Sequence, residues 1–123
     1  AVEGDAAVGY TETHQVIVKV GHARGAEVAR TLEERNIICN YQAIPSDEGF
    51  TASSALRLGV QEMTRFGMVE ADFAEFAALF AAAVREEQVA EQVAAFRRRF
   101  QTMRFCFTGD DFAAVQQKLL RTF

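Results

Sequence analysis

The chain has few cysteines and no long apolar run, and each shortage excludes a class of protein. Two cysteines among 123 residues, Cys39 and Cys106, are too few for the disulfide framework of a small secreted domain. No segment approaches the roughly 20 apolar residues that cross a bilayer, and no signal peptide opens the chain. We therefore expect a reduced, cytoplasmic protein with no membrane partner.

Positive charge is also scarce. The formal net charge is −4, which argues against nucleic acid as the main partner. The only basic cluster joins Arg97, Arg98 and Arg99 to Arg104, and we interpret it as one solvated helix face.

Length and composition indicate an ordinary globular domain. Half of the residues are hydrophobic and 24% are charged, and a chain of this size buries roughly two-thirds of its unfolded surface in one core. We treat residues 1–123 as a single domain, with 1–13 as an irregular lead-in or interdomain remnant and 85–123 as a helical tail. Because the chain begins at Ala1 rather than at methionine, we expect it to be part of a longer polypeptide.

Changes of hydrophobic period predict an α+β fold. The predicted elements are a strand over 16–20, a helix over 26–36, a strand over 37–39, an exposed loop over 40–53, a strand over 53–59 and helices beyond residue 67. In the helices, apolar residues recur at three- and four-residue spacing, which is typical of core positions. The stripes are Phe73, Phe76 and Phe80, then Val89, Val93, Phe96, Phe100 and Met103, then Phe112, Val115, Leu119 and Phe123 after a capping box over 108–111. The prediction is a small three-stranded, mainly antiparallel sheet covered on one face by helices.

Residues 53–59 (SSALRLG) place one arginine between two leucines. Because side chains alternate along a strand, Leu56 and Leu58 in the core would leave Arg57 on the opposite face. A guanidinium held there can bind a carboxylate through two parallel hydrogen bonds. On spacing alone, a solvated surface arginine remains the competing interpretation.

Few other residues are candidates for chemistry. The long loop after residue 39 is typical of a functional segment, in which Gln42 could present an amide to a ligand and Tyr41 could stack. His14 and Cys39 are interpreted as packing groups. We assign no catalytic residue and no metal ligand in this chain.

Four segments resemble serine hydroxymethyltransferases. Residues 57–68 (RLGVQEMTRFGM) are similar to the family's S-G-[IL]-R-[LV]-G-T-P-A-[LIM]-T-x-R-G segment. Residues 32–40 (LEERNIICN) and 43–45 (AIP) resemble its helix-to-strand passage and its N-x-x-[SA]-[IV]-P turn, and residues 9–14 (GYTETH) resemble G-G-T-D-N-H. The segments occur in the family's order.

The resemblance implies the C-terminal small domain of a fold-type I pyridoxal-phosphate enzyme that moves a one-carbon unit between serine and tetrahydrofolate. It implies that Arg57 binds the α-carboxylate of the amino-acid substrate and that Tyr41 and Gln42 lie beside folate. It also implies a large domain of the same polypeptide that holds pyridoxal phosphate, and a homodimeric parent. This chain alone would be inactive and would hold no cofactor, because Lys19 and Lys118 lack a family-like neighbourhood.

The chain departs from the family pattern near the folate loop. Tyr41 replaces a usual lysine, Gln42 a usual asparagine and Phe66 the arginine before Gly67, whereas Arg57 is kept. Two alternatives therefore stay open. One is a stand-alone interaction or ligand-binding module with the same fold, and the other is a folate-independent relative of the aldolase or transaminase kind.

Overall fold

The computed structural model describes residues 1–49, 52–105 and 110–121. Its elements are a 3₁₀ helix (Ala6–Val8), β1 (Gln15–Lys19), α1 (Gly25–Glu33), β2 (Asn40–Gln42), β3 (Ala55–Gly59), α2 (Gln61–Arg65), α3 (Glu70–Val84), α4 (Ala90–Arg98) and α5 (Asp110–Leu120). None of the described helices is both long and apolar enough to cross a membrane.

The three strands form one antiparallel sheet in the order β1, β3, β2. In the central strand, Arg57 lies opposite Ile17 of β1 and opposite Asn40 of β2. Helix α1 packs against β2, β3 and α3, and α4 packs against α3. The predicted α+β fold, with helices on one face of a three-stranded sheet, is confirmed.

The core lies between Leu56 of the sheet and the helices. Its larger cluster consists of Val28, Leu32, Ile37, Leu56, Ala83, Val89 and Val93. A second cluster joins Met68 to Phe96 and Phe100. The aromatic stripe of α4 is therefore core, as predicted. The helix itself ends at Arg98, so Phe100 and Met103 lie beyond it, and the predicted continuation of that helix is wrong.

The second strand differs from its prediction. Asn36 adopts φ = 64°, as a helix terminator does, and the Ile37 amide then donates to the Leu32 carbonyl at 2.9 Å. Ile37 is thus part of the helix ending and is buried, whereas Ile38 is 86% exposed. The strand forms at Asn40–Gln42, three residues later than predicted, and the loop begins at residue 43.

The start of the lead-in is paired rather than irregular. Val2 forms a bridge with Val18. The Glu3 amide donates to the Ile17 carbonyl at 2.9 Å, and the Lys19 amide donates to the Ala1 carbonyl at 2.8 Å. Residues 1–3 therefore satisfy backbone groups on the outer edge of β1, which would otherwise be open.

Helix α1 begins in close contact with β3. A Cβ atom added at Gly25 would lie 2.7 Å from the Ser53 carbonyl oxygen and 3.0 Å from the Ala55 carbonyl oxygen. The Gly25 amide donates to that Ser53 carbonyl at 2.7 Å. Only glycine allows this approach, which sets α1 directly over β2 and β3.

Part of the predicted tail lies outside the described residues. These positions are Cys106, Phe107, Phe123 and most of the capping box, together with the side chain of Phe112. Helix α5 was expected to bury Val115 and Leu119, but both side chains are more than half exposed in the described part of the chain.

Candidate functional site

Arg57 lies on the sheet face that the helices leave open. Its neighbour Leu56 is fully buried in the core, so strand alternation directs Arg57 to the opposite face. The guanidinium is half-buried, and within the described residues it makes no hydrogen bond and no ion pair. Leu56 is thus in the core as predicted, whereas Leu58 is only partly buried.

The residues beside Arg57 follow from the strand register. Directly opposed residues of an antiparallel pair point to the same face, so Ile17 and Asn40 flank Arg57 on the open face. Gln42, opposite Ala55, shares that face. Tyr41 is opposite Leu56 and belongs to the helix-covered face. The two candidates for a folate contact therefore point to opposite sides of β2.

A shallow depression of about 450 Å³ joins these residues at the edge of the sheet. It is lined by Cys39, Asn40, Tyr41, Gln42 and Arg57. Because β2 is an edge strand, a cavity that opens over it borders residues of both faces. The structure thus places the predicted residues Arg57, Gln42 and Tyr41 at one site. It adds Asn40, which sequence reasoning missed because the strand was predicted three residues too early.

Gln61 adds a third carboxamide near the end of the Arg57 strand. A Cβ atom added at Gly59 would lie 2.6 Å from the Gln61 Oε1 atom, so this amide folds over Gly59. Gly59 is two residues from Arg57 and shares its face. The sequence signal was a Gly-x-Gln tripeptide directly after the strand.

Asp47 holds the loop that leads into β3. Its Oδ2 atom accepts hydrogen bonds from the amides of Ile44 at 2.9 Å and Ser54 at 3.1 Å, and its Oδ1 atom accepts one from the Ser54 hydroxyl. The hydrogen bond from Ser54 is the main reason that the pKa of Asp47 is lowered. The carboxylate is only 2% exposed, and it joins Ile44 to Ser54 beside the site.

Other titratable groups near the site show no sign of chemistry. Lys19 forms an ion pair with Glu3. Burial raises the pKa of the Cys39 thiol, which disfavours the reactive thiolate. Among the described residues, no group of three or more histidine, cysteine, aspartate or glutamate side chains could hold a metal ion.

The comparisons with known proteins place this geometry in a family. Residues 5–80 match the family profile described as "Serine hydroxymethyltransferase", which is more than half of the chain. The chain belongs to the serine hydroxymethyltransferase family. It is 43% identical over 107 residues to the serine hydroxymethyltransferase of Pyrobaculum aerophilum, a match that covers 84% of this chain and 25% of the relative.

A serine hydroxymethyltransferase from Sulfolobus acidocaldarius is 38% identical over 120 residues, which covers 92% of this chain and 28% of the relative. The chain therefore spans about a quarter of the length of the curated relatives it matches. Among solved structures, an L-threonine transaldolase from Pseudomonas fluorescens matches with a TM-score of 0.74 and 31% identity over 94% of this chain and 28% of that chain. The resemblance to serine hydroxymethyltransferases and their fold-type I relatives is confirmed.

The described residues suit a carboxylate ligand but not pyridoxal phosphate itself. Of the two lysines, Lys19 is bound to Glu3 and Lys118 lies in α5. The first amide of α1 donates to the Ser53 carbonyl, so this amide is already bound by the chain's own backbone. The site on this chain is one cation among neutral carboxamides.

Proposed function

We propose that this chain is the C-terminal domain of a serine hydroxymethyltransferase-like enzyme, in which Arg57 binds the α-carboxylate of the amino-acid substrate. The observation that carries the proposal is the half-buried guanidinium on the open sheet face, which has no partner among the described residues. It stands at the position of the arginine in the family's motif. The parent would transfer a one-carbon unit between serine and tetrahydrofolate.

In this proposal, the chain's own residues bind and orient the substrate. The planar guanidinium can donate two parallel hydrogen bonds to the two oxygens of a carboxylate, which fixes the direction of the substrate's Cα. Ile17 and Asn40 flank it in the ladder and limit its movement across the sheet. Pyridoxal phosphate, held by a large domain of the longer polypeptide, supplies the electron sink for carbanion chemistry when bound.

Substitution of Arg57 in the longer protein tests the proposal. Arg57→Ala should weaken glycine and serine binding by roughly 10- to 100-fold, because a charge-assisted, two-point contact is lost. Arg57→Lys should recover little of this affinity, since an ammonium lacks the planar fork. The measurement is amino-acid titration of the holoenzyme.

Two controls accompany that titration. Arg98→Ala removes an exposed cation on α4 that has no hydrogen bond or ion pair in the described ranges, and it should leave binding unchanged. Thermal melts of the chain should show that Arg57→Ala changes stability by about 1 kcal/mol at most. Normal amino-acid binding by Arg57→Ala, or an unfolded variant, would make Arg57 a structural residue.

A folate-independent relative of the aldolase kind is the second candidate. It is favoured by the 31% identity to an L-threonine transaldolase and by Gln42 and Tyr41, which replace the family's usual asparagine and lysine. Gln42 shares the open face with Arg57 and is one methylene longer than asparagine, so a folate contact there would be displaced.

The variant Gln42→Asn separates the two candidates in the longer protein. If the enzyme uses folate, the shorter side chain should improve tetrahydrofolate-dependent turnover of serine by a few-fold, while folate-independent cleavage of β-hydroxy amino acids stays constant. An unchanged folate affinity and rate would exclude Gln42 as the contact. The intact mass of the natural gene product tests the stand-alone module. The enzyme proposal requires a product that includes a large domain, whereas the module does not.

A further inference from the structure

The two neighbours of Arg57 across the sheet have different chemistry. Arg57 lies opposite Ile17 of β1 and opposite Asn40 of β2, and directly opposed residues share one face of the sheet. Ile17 is apolar and offers no hydrogen bond to a ligand. Of the two residues beside Arg57 in this row, Asn40 is therefore the one that can take part in polar recognition.

Asn40 and Arg57 border the same space. Opposed residues of an antiparallel pair have Cβ atoms about 4.5–5.5 Å apart, and both side chains line the depression of about 450 Å³. Asn40 is exposed. Neither side chain has a hydrogen bond or an ion pair with any residue that the structure describes. Both groups thus keep their hydrogen-bonding capacity for a ligand in this depression.

The neutrality of Asn40 matters as much as its position. On the far side of Ile17 lies Glu3, whose amide donates to the Ile17 carbonyl. Its carboxylate forms an ion pair with Lys19, so it does not neutralise Arg57. A carboxylate at position 40 would lie within direct reach of the guanidinium and would bind it. The amide at this position leaves the positive charge of Arg57 to a ligand.

We propose that Asn40 is a second substrate-binding residue at the Arg57 site. Its Nδ2 atom donates a hydrogen bond to the carboxylate that Arg57 binds. A carboxylate has about four lone-pair sites, and the guanidinium fork occupies two of them, so a further donor binds without competing. This inference rests on the proposed function and adds to it a residue that helps to select ligands with a free α-carboxylate.

Two substitutions of Asn40 in the longer protein test this role by equilibrium titration of the holoenzyme with glycine. Asn40→Ala should weaken glycine binding by roughly three- to tenfold, because one neutral hydrogen bond is lost. Asn40→Asp has nearly the same shape, yet it should weaken binding at least tenfold further. The new carboxylate binds Arg57 and repels the carboxylate of glycine.

The matched control is the same chemical change at a distant position. Gln92 is an exposed carboxamide on α4, and Gln92→Glu should leave glycine binding unchanged. Circular dichroism melts confirm that each variant folds. If Asn40→Asp and Gln92→Glu have equal effects on glycine binding, the position of the added charge is irrelevant and the inference is overturned.

Glycinamide, which lacks the carboxylate, separates binding from a structural role. Asn40→Asp should bind glycinamide no more weakly than wild type does, because the added carboxylate repels only an anionic ligand. A distorted β2 strand would weaken both ligands alike. Equal losses for glycine and glycinamide in Asn40→Asp would therefore overturn the inference and make Asn40 a structural residue.

The Arg57 variants distinguish failure of this inference from failure of the proposed function. If Arg57→Ala weakens glycine binding while both Asn40 variants bind glycine as wild type does, the inference is overturned and the proposed function stands. If Arg57→Ala itself binds glycine normally, the proposed function falls, and the role of Asn40 falls with it.

Discussion

At the scale of single residues, Asp47 shows how one buried carboxylate organises the approach to the site. It accepts hydrogen bonds from Ile44 and from both the amide and the hydroxyl of Ser54. Ser54 in turn accepts a hydrogen bond from the Ala23 amide at 3.1 Å. One short network therefore joins the loop, the start of β3 and the turn before α1.

The network makes stability depend on pH in a predictable direction. The pKa of Asp47 is lowered in the folded chain, so its contribution is complete above the ordinary pKa of about 4 and is lost as the pH falls through the lower native value. Asp47→Asn should reduce the melting temperature by roughly 5 °C at pH 7. The difference from wild type should shrink toward pH 3.

The neighbouring carboxylate provides the control for this prediction. Glu48 is exposed and has no hydrogen bond or ion pair within residues 1–49, 52–105 and 110–121. Glu48→Gln should therefore give the same small difference at both pH values. If the Asp47→Asn difference is as large at pH 3 as at pH 7, the carboxylate charge is not what holds the loop.

At the scale of elements, Arg35 joins the end of α1 to the turn between α3 and α4. Its guanidinium donates to the carbonyls of Glu87 at 2.8 Å, Thr31 at 2.8 Å and Glu86 at 3.0 Å, and the residue is only 7% exposed. The side chain therefore binds three carbonyl groups at the ends of two helices, where carbonyls have no partner within their own helix.

Removal of this side chain should loosen the contact between the two elements. Arg35→Ala should lower the free energy of unfolding by about 2–4 kcal/mol, because buried carbonyls lose charged donors. Arg35→Lys should recover little, since one ammonium cannot reach three carbonyls. Urea unfolding measures both, with Arg98→Ala as the control near zero. Equal stability of Arg35→Ala and Arg98→Ala would contradict this role.

Elements with a clear period could be predicted from the sequence, and those set by tertiary contacts could not. The alternation around Arg57 and the helical spacing of α1 and α3 located those elements. For β2, Ile37 and Ile38 have a high strand propensity, but the strand position is set by pairing with β3 and by the helix ending at Ile37. Helix α2, with five residues, is too short to show a period.

The arginines of the basic cluster at residues 97–99 are exposed as predicted, but one of them makes contacts that the sequence did not indicate. Arg99 donates to Glu75 at 2.6 Å and to Asp72 at 2.8 Å, and its guanidinium lies over the rings of Phe96 and Phe100. These contacts join α4 to α3 across more than twenty residues of sequence. Arg99 therefore connects two helices. Its partners are distant in sequence, so no local sequence pattern could indicate this contact.

At the scale of the whole molecule, the candidate site lies at the surface of the chain. Its cation, Arg57, and its carboxamides, Asn40, Gln42 and Gln61, face away from the chain's own core, and the residues described offer no group that would hold pyridoxal phosphate. The sequence predicted Arg57 from strand alternation and a family motif together, and Gln42 only from the loop and the family resemblance. In the proposed function, the ligand also contacts groups in the part of the longer polypeptide that this chain does not cover.

The pairing of residues 1–3 with β1 also limits how far the sheet can grow. Residues 1–3 form only a very short extension beside β1, so they offer little edge for another chain to extend. A variant that lacks residues 1–3 would have two open edges, and each added copy would expose a new one. We expect it to form elongated aggregates that bind thioflavin T, while Glu3→Gln, which keeps the backbone pairing, stays a small species. If light scattering shows the shortened chain to be no larger than wild type, these three residues do not terminate the sheet.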